Sequence, residues 1–130
     1  MNLDIDAVAA FAMTFPEVTE GTRWGNRTWL VAGKAFVWER PLTKADVKRF
    51  GDAPVPDDPI IAIRTEDLQD KLAILDGEPA GAFDIEHFAN YPAYLVELAF
   101  APEEQVRDAI TDGWLAVATP ALAREFLAGQ

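Results

Sequence analysis

Chemistry that needs an imidazole can come only from His87, the single histidine of the chain. Asp84 and Glu86 precede it, and a carboxylate beside an imidazole can tune it for acid–base catalysis or metal binding. A lone imidazole without thiolates or a second histidine does not complete the usual ligand set of a transition metal. We therefore expect a structural or surface histidine that binds no metal.

Other catalytic classes are excluded by residue types that the sequence lacks. It contains no serine and no cysteine, which rules out serine and thiol nucleophiles, disulfides and thiolate zinc sites. There is no glycine-rich phosphate loop, because Gly21 and Gly25 are followed by no helical pattern. Threonine, lysine and carboxylates remain, in no spacing that selects a reaction. We expect a protein that is not an enzyme and uses no cofactor.

The charge is distributed unevenly. The 130 residues include 11 basic and 22 acidic ones, giving a formal net charge of −11. Seven basic residues lie between positions 23 and 49 and are opposed only by Glu39 and Asp46, so this stretch carries +5 and the remainder −16. This asymmetry indicates either a basic contact surface on an acidic body or ordinary solvated side chains on exposed strands. The seven residues are Arg23, Arg27, Lys34, Arg40, Lys44, Lys48 and Arg49.

The elements that position these residues follow from hydrophobic periods of about 3.6 and 2. Helices are predicted near 6–14, 66–76, 103–118 and 120–128, with Asp4 or Asp6, Thr65 and Thr119 as N-caps. A hairpin is predicted over 28–39 around Ala32-Gly33, preceded by a short strand at Arg23-Trp24. Further strands are predicted at 60–64 and 93–99. Leu68, Leu72 and Leu75 form the apolar stripe of the second helix.

Two segments are less regular. Residues 41–59 are predicted to connect hairpin and strand, with a helical turn over 43–50. Residues 80–92 are predicted to be irregular. We expect one domain over 1–130 of the α+β class, with a largely antiparallel sheet packed against helices.

No membrane segment is expected. The longest uninterrupted apolar run, Ala7–Met13, is far shorter than the roughly 20 residues that span a bilayer. Asp4 and Asp6 precede it, where a signal peptide would carry basic residues. A cytoplasmic protein is the expectation.

Several short motifs together resemble the MmcQ/YjbR-like family. They occur in the family's order over roughly positions 10–118. They are Phe15-Pro16-Glu17-Val18-Thr19-Glu20-Gly21, Trp24-Gly25-Asn26, Gly33-Lys34-Ala35-Phe36, His87-Phe88, Tyr91-Pro92-Ala93-Tyr94-Leu95-Val96 and Asp112-Gly113-Trp114.

The resemblance implies a small α+β fold with a twisted antiparallel sheet, similar to the double-wing fold of a phage transcription factor. It also implies DNA binding, which in this chain would use the basic hairpin and be weak and salt-sensitive, because few phosphates would be contacted. The alternative is a small-molecule or protein-binding module without DNA contact. Its groove would lie near residues 80–92 and be lined by Phe83, His87, Phe88 and Tyr91.

Overall fold

The structure is a computed structural model that describes residues 2–129. These residues form five α-helices, six β-strands and two short 3-10 helices. In chain order the elements are α1 (Ile5–Ala12), β1 (Val18–Arg23), β2 (Asn26–Val31), β3 (Lys34–Glu39), α2 (Lys44–Phe50), β4 (Ile60–Arg64), α3 (Leu68–Asp76), β5 (Ala82–Phe83), a 3-10 helix (Glu86–Phe88), β6 (Ala93–Glu97), a second 3-10 helix (Leu98–Phe100), α4 (Glu103–Val117) and α5 (Pro120–Ala128).

The six strands form one sheet in the order β1-β2-β3-β4-β6-β5. Every neighbouring pair is antiparallel, and β6 lies between β4 and the two-residue edge strand β5. The predicted α+β class with an antiparallel sheet is therefore confirmed. The short strand β5 lies within the segment that we expected to be irregular, because two residues are too few to show a period of 2.

The larger core lies on one face of the sheet, under α1, α4 and α5. Trp29 of β2, Phe36 of β3 and Ile63 of β4 are fully buried there beside Trp114 of α4. Helix α4 approaches the sheet most closely at Gly113. A Cβ atom at this glycine would stand 3.1 Å from Ile63 Cγ2 and 3.1 Å from the Phe36 carbonyl oxygen. The side of α4 that carries Gly113 therefore lies directly against the backbone of the sheet.

A smaller apolar cluster lies on the opposite face and includes Ile60, Ala62, Leu95 and Phe88. Helix α2 and the 3-10 helix at Glu86–Phe88 cover it. The predicted helical turn over 43–50 is confirmed as α2, which begins with a reciprocal capping box of Thr43 and Asp46. Part of this face stays open beside the β1–β2 end of the sheet.

Helix α3 begins later than predicted. Asp67, not Thr65, is its N-cap and accepts from the Asp70 backbone N–H at 2.7 Å, whereas the Thr65 hydroxyl donates to the Asp67 carbonyl. The predicted apolar stripe is also wrong at Leu72, which is 56% exposed, whereas Lys71 is fully buried. The predicted stripe is wrong here because an apolar pattern considers only apolar residues, whereas a lysine can also be buried when it has polar partners.

Other boundaries shift by a few residues. The strand expected at Arg23-Trp24 is β1, which runs back to Val18 and ends at Arg23. The strand expected over 93–99 ends at Glu97 and continues as a 3-10 helix. The caps at Asp4 and Thr119 are confirmed, since their side chains accept from the Ala7 and Leu122 backbone N–H groups.

Within residues 2–129, no helix combines the length and the apolar character needed to cross a bilayer.

Candidate functional site

A cleft of about 320 Å³ opens on the face of the sheet that carries the smaller cluster. It lies between the β1–β2 turn and the segment that contains the Glu86–Phe88 helix. Sites for small ligands usually have volumes of about 300–1,000 Å³. The lining residues, which define what we call the basic cleft, are Arg23, Trp24, Asn26, Thr28, Ala35, Trp38, Arg40, His87, Phe88 and Tyr91.

The β1–β2 turn places an indole at the mouth of this cleft. Arg23 pairs with Asn26, so Trp24 and Gly25 form a two-residue turn with φ angles of 56° and 78°. Hairpin turns of this kind need positive φ at both positions, which suits Gly25 but costs a residue like Trp24 about 1–2 kcal/mol. Trp24 is 98% exposed, so packing does not offset that cost. Its position therefore suggests a role in binding rather than in stability.

Because successive side chains of β2 point to opposite faces of the sheet, Arg27 and Thr28 lie on different faces. Thr28 lies in the basic cleft, whereas Arg27 projects from the other face toward α1. There its guanidinium pairs with Asp6 at 2.8 Å and with Glu20 at 2.9 Å. The hydrogen bond from Arg27 lowers the pKa of Glu20, and one from the Trp29 indole adds to this against an opposing effect of burial. Arg27 therefore connects α1 to the hairpin through ion pairs on the face of the sheet opposite the basic cleft.

A buried lysine fixes the opposite wall of the cleft. Lys71 of α3 is fully buried, and its ammonium group donates to the carbonyl oxygens of Phe88 and Tyr91. It also forms an ion pair with Asp84 at 3.0 Å. These three partners bracket the segment that carries His87, Phe88 and Tyr91. The ammonium group of Lys71 therefore fixes the backbone of the wall formed by His87, Phe88 and Tyr91, which we call the aromatic wall.

Arg40 lines the floor of the cleft and already has a carboxylate partner. Its guanidinium lies 3.1 Å from Asp46 and 5.4 Å from the centroid of the Phe88 ring. Burial by itself raises the pKa of Asp46, but hydrogen bonds with Thr43 and the charge of Arg40 outweigh it and lower that pKa below its ordinary value. The Arg40–Asp46 pair consequently stays charged at neutral pH and connects α2 to the cleft floor.

The electrostatic character of the cleft differs from that of the whole chain. Among the described residues that line it there is no carboxylate, although the net charge of the chain is −11. The Arg23 side chain, unlike its backbone in β1, forms no ion pair or hydrogen bond with any other described residue. Its guanidinium is therefore available to an anionic ligand.

His87 lies at the rim of the cleft and is exposed, with its ring 5.9 Å from that of Phe88. The two carboxylates that precede it have other partners, since Asp84 pairs with Lys71 and Glu86 lies 3.8 Å from Arg49. Across residues 2–129, no three histidine or acidic side chains stand close enough together to hold a metal ion. That His87 binds no metal stays a prediction.

The seven basic residues of the sequence hypothesis do not share one surface. Arg23 and Arg40 line the cleft, Arg27 lies on the other face, and Lys34 follows the β2–β3 turn at the far end of the strands from Arg23. Lys44 and Lys48 are exposed on α2, one helical turn apart, and Arg49 lies 3.9 Å from Asp46.

Three of the four residues proposed for the alternative groove, His87, Phe88 and Tyr91, do line the cleft. The fourth, Phe83, packs beside Phe50 in the smaller core cluster instead. The sequence predicts the basic DNA-binding residues and the groove residues as two alternative sites, whereas the structure brings members of both sets together in the basic cleft.

Sequence reasoning missed Trp38 and Lys71 as parts of the site. A period of 2 counted along β3 from Ala35 would place the Trp38 side chain on the opposite face of the sheet. This prediction fails because the β2–β3 pairing shifts register at Trp29/Leu30. The only signal for Lys71 was its spacing within a short helix, three residues after Leu68 and four residues before Leu75.

Comparisons with known proteins agree with this fold and its motifs. A family model described as YjbR matches residues 13–116. A protein of Mycobacterium bovis and two of Mycobacterium tuberculosis, all described as uncharacterised, are 39% identical to the chain over 105 residues, covering 78% of this chain and 81% of each relative. No solved structure matches the chain. The family model covers most of the sequence and the relatives share well over a third of the aligned residues, so the chain belongs to the YjbR family.

Proposed function

We propose that this protein binds a small planar anion in the basic cleft, without catalytic turnover. The observation that carries the proposal is the charge of the lining. The cleft contains the unpaired guanidinium of Arg23 and is lined by no described carboxylate, while Arg40 in its floor pairs with Asp46, in a chain with twice as many acidic as basic residues. Such a lining favours a negatively charged ligand over a cation.

The aromatic walls indicate the shape of that ligand. Trp38, Phe88 and Tyr91 line the interior, and the rings of Phe88 and Tyr91 lie 5.4 Å apart. Stacking of an aromatic ligand on such rings contributes about 0.5–1.5 kcal/mol per pair beyond area burial. The guanidinium of Arg23 can bind a carboxylate through two parallel hydrogen bonds. An aromatic carboxylate therefore suits both the walls and the free cation.

The test is a calorimetric titration with 2-naphthoate, with the uncharged 2-naphthalenemethanol as the matched probe. We expect the acid to bind about tenfold more tightly than the alcohol, because a hydrogen-bonded charge contributes about 1.5 kcal/mol. Arg23→Gln should remove this difference. Lys34→Gln makes the same change of charge at the far end of the strands and should leave binding unchanged. Trp24→Asn should weaken both probes, since Asn suits the turn but offers no ring.

Two results would contradict the proposal. One is no heat of binding for 2-naphthoate up to about 5 mM. The other is equal weakening by Arg23→Gln and Lys34→Gln, which would show that only the overall charge matters.

Duplex DNA is a second candidate, supported by the four of the seven basic residues between positions 23 and 49 that make no ion pair within residues 2–129: Arg23, Lys34, Lys44 and Lys48. Three or four phosphate contacts predict weak binding with a log–log salt slope of roughly −3 to −4. The fourfold glutamine variant at these positions should abolish binding at low salt. A variant that removes Arg27 and Arg49, both already close to carboxylates, should bind nearly as the native protein does. If the native protein does not bind DNA even at low salt, this candidate is excluded.

A further inference from the structure

A second and larger cleft lies on the opposite face of the sheet, between α3 and α4. Its volume is about 510 Å³, and Ile63 of β4 and Val96 of β6 contribute an apolar floor. Four acidic residues also line it: Asp70 of α3 and Glu104, Asp108 and Asp112 of α4. We call this the acidic cleft. Within the described part of the chain, none of these four carboxylates has a basic partner.

Arg64 also contributes to the wall of the acidic cleft. Its guanidinium, however, lies 5.8 Å from the centroid of the Tyr91 ring, which belongs to the basic cleft. The strand explains this position, because Ile63 faces the larger core and the next residue points to the other face. The charge of Arg64 is therefore directed away from the four carboxylates.

The floor of the acidic cleft holds an unpartnered hydroxyl group. Tyr94 of β6 lines the cleft and is only 4% exposed, yet its hydroxyl forms no hydrogen bond with any residue in the range 2–129. The ring of Tyr94 packs in the larger core, whereas its hydroxyl is not one of the polar atoms that the described residues enclose without a partner, so the hydroxyl is open to the cleft. Tyr94 therefore places an accessible, unpaired hydrogen-bonding oxygen at the floor of this site.

Two titratable groups of the acidic cleft, Tyr94 and Asp112, are influenced by negative charge. Burial raises the pKa of Tyr94 to about 12, and the charges of Asp112 and Asp70 add to that shift. Burial also raises the pKa of Asp112, with further contributions from Asp108 and Asp70. Each of these shifts would be reduced by a positive charge placed among the carboxylates.

We propose that the acidic cleft binds a primary ammonium ion carried on an apolar body, such as an arylalkylamine. An ammonium group donates three hydrogen bonds, and the Tyr94 oxygen and the carboxylates of Asp70 and Asp112 are acceptors. The apolar floor takes the hydrocarbon part of the ligand. A metal ion fits less well, because no three of the described acidic side chains are positioned to ligate one.

The probe is 2-phenylethylamine, titrated by calorimetry near neutral pH, with 2-phenylethanol as the uncharged match. We expect the amine to bind at least tenfold more tightly than the alcohol, because only the amine is attracted by the carboxylates. Asp112→Asn and Asp70→Asn should each weaken amine binding about tenfold, and Tyr94→Phe should weaken it severalfold. Asp76→Asn changes the same charge at the end of α3, outside the cleft, and should have no effect.

Three results would overturn the proposal: no binding of the amine at millimolar concentration, equal binding of amine and alcohol, or equal weakening by Asp112→Asn and Asp76→Asn. Thermal unfolding of each variant checks that it is folded, and Asp70→Asn, on a different helix, provides a second measurement if one variant is not. Arg23→Gln should leave amine binding intact, so the two clefts are tested separately.

Discussion

At the scale of single residues, the shape of the basic cleft depends on Lys71, which binds the backbone of the aromatic wall. The ammonium group of Lys71 reaches two carbonyl oxygens and the Asp84 carboxylate from a fully buried position. The aromatic wall of the basic cleft has little regular structure of its own, since it includes only one turn of 3-10 helix. Its shape therefore depends on this one side chain more than on any strand pairing.

We expect Lys71→Met to lower the free energy of unfolding by about 2–3 kcal/mol, because it leaves two carbonyls and a carboxylate without their charged donor. Urea unfolding measures the loss. Lys48→Met, at an exposed position of α2, is the control and should change the stability by less than about 0.5 kcal/mol. A loss below about 1 kcal/mol in the buried variant would mean that water replaces the ammonium group.

Asp112 gives a second prediction, in which stability depends on pH. Its pKa is raised in the folded protein, chiefly by burial and then by Asp108 and Asp70, from an ordinary value of 3.8. The folded state therefore binds the proton more tightly than the unfolded state, and the stability falls as the pH rises through this interval. At pH values above this interval, the charged carboxylate of Asp112 destabilises the fold. Glu104 and Tyr94 are further titratable groups that face the same cleft.

Asp112→Asn should accordingly raise the free energy of unfolding near neutral pH, by less than about 1 kcal/mol because solvent screens a partly exposed group. The gain should vanish below about pH 3, where the native carboxyl is protonated in both states. Urea unfolding at both pH values tests this, with Asp76→Asn as the control for net charge. A variant less stable than the native protein near neutral pH would refute the argument.

At the scale of elements, close packing of α4 on the sheet fixes the position of the acidic cleft. Gly113 allows this helix to lie against β3 and β4, and the same helix carries Asp108 and Asp112. We expect Gly113→Ala to destabilise the fold by about 1–2 kcal/mol, since crowding of the new Cβ outweighs the gain in helix propensity.

The matched control is Gly77→Ala at the end of α3, where the nearest atom to a new Cβ would be the Ile74 carbonyl oxygen at 3.4 Å. This change should be neutral or slightly stabilising. Chemical denaturation compares the two variants. Equal effects would show that α4 can move away from the sheet at little cost.

Elements with strong local signals were predictable from the sequence. Helix α5 followed from Thr119-Pro120, and the β2–β3 hairpin followed from apolar runs around Ala32-Gly33. The sequence grouped His87, Phe88 and Tyr91 of the basic cleft, but the full lining of neither cleft was predictable, because each combines residues that are distant in the chain. Arg23 meets His87 only through the sheet order, and Tyr94 meets Asp112 only through the docking of α4. No period in a single sequence encodes such long-range contacts.

At the scale of the whole molecule, the sheet separates two clefts of opposite character. The basic cleft lies on one face and the acidic cleft on the other, within a chain of net charge −11. Excess negative charge opposes the compact state through self-repulsion, and dissolved salt screens it.

We therefore expect the melting temperature to rise by about 2–5 °C between about 20 mM and 300 mM NaCl. Circular dichroism during heating measures this, and an equal osmolarity of an uncharged solute serves as the control. A melting temperature that falls with salt would mean that the ion pairs of Arg27 and Arg40 contribute more than the repulsion does.

The exposed indole of the β1–β2 turn also gives the protein distinctive optical properties. Trp29 and Trp114 are fully buried and Trp38 is partly buried, so Trp24 is the one tryptophan surrounded by water. Its fluorescence should therefore lie at the red edge of the emission spectrum. Because Arg23 precedes it, iodide should quench this component more efficiently than caesium. The chain thus carries an intrinsic reporter at the mouth of the basic cleft, and a ligand that covers Trp24 would shift its emission to shorter wavelength and protect it from iodide.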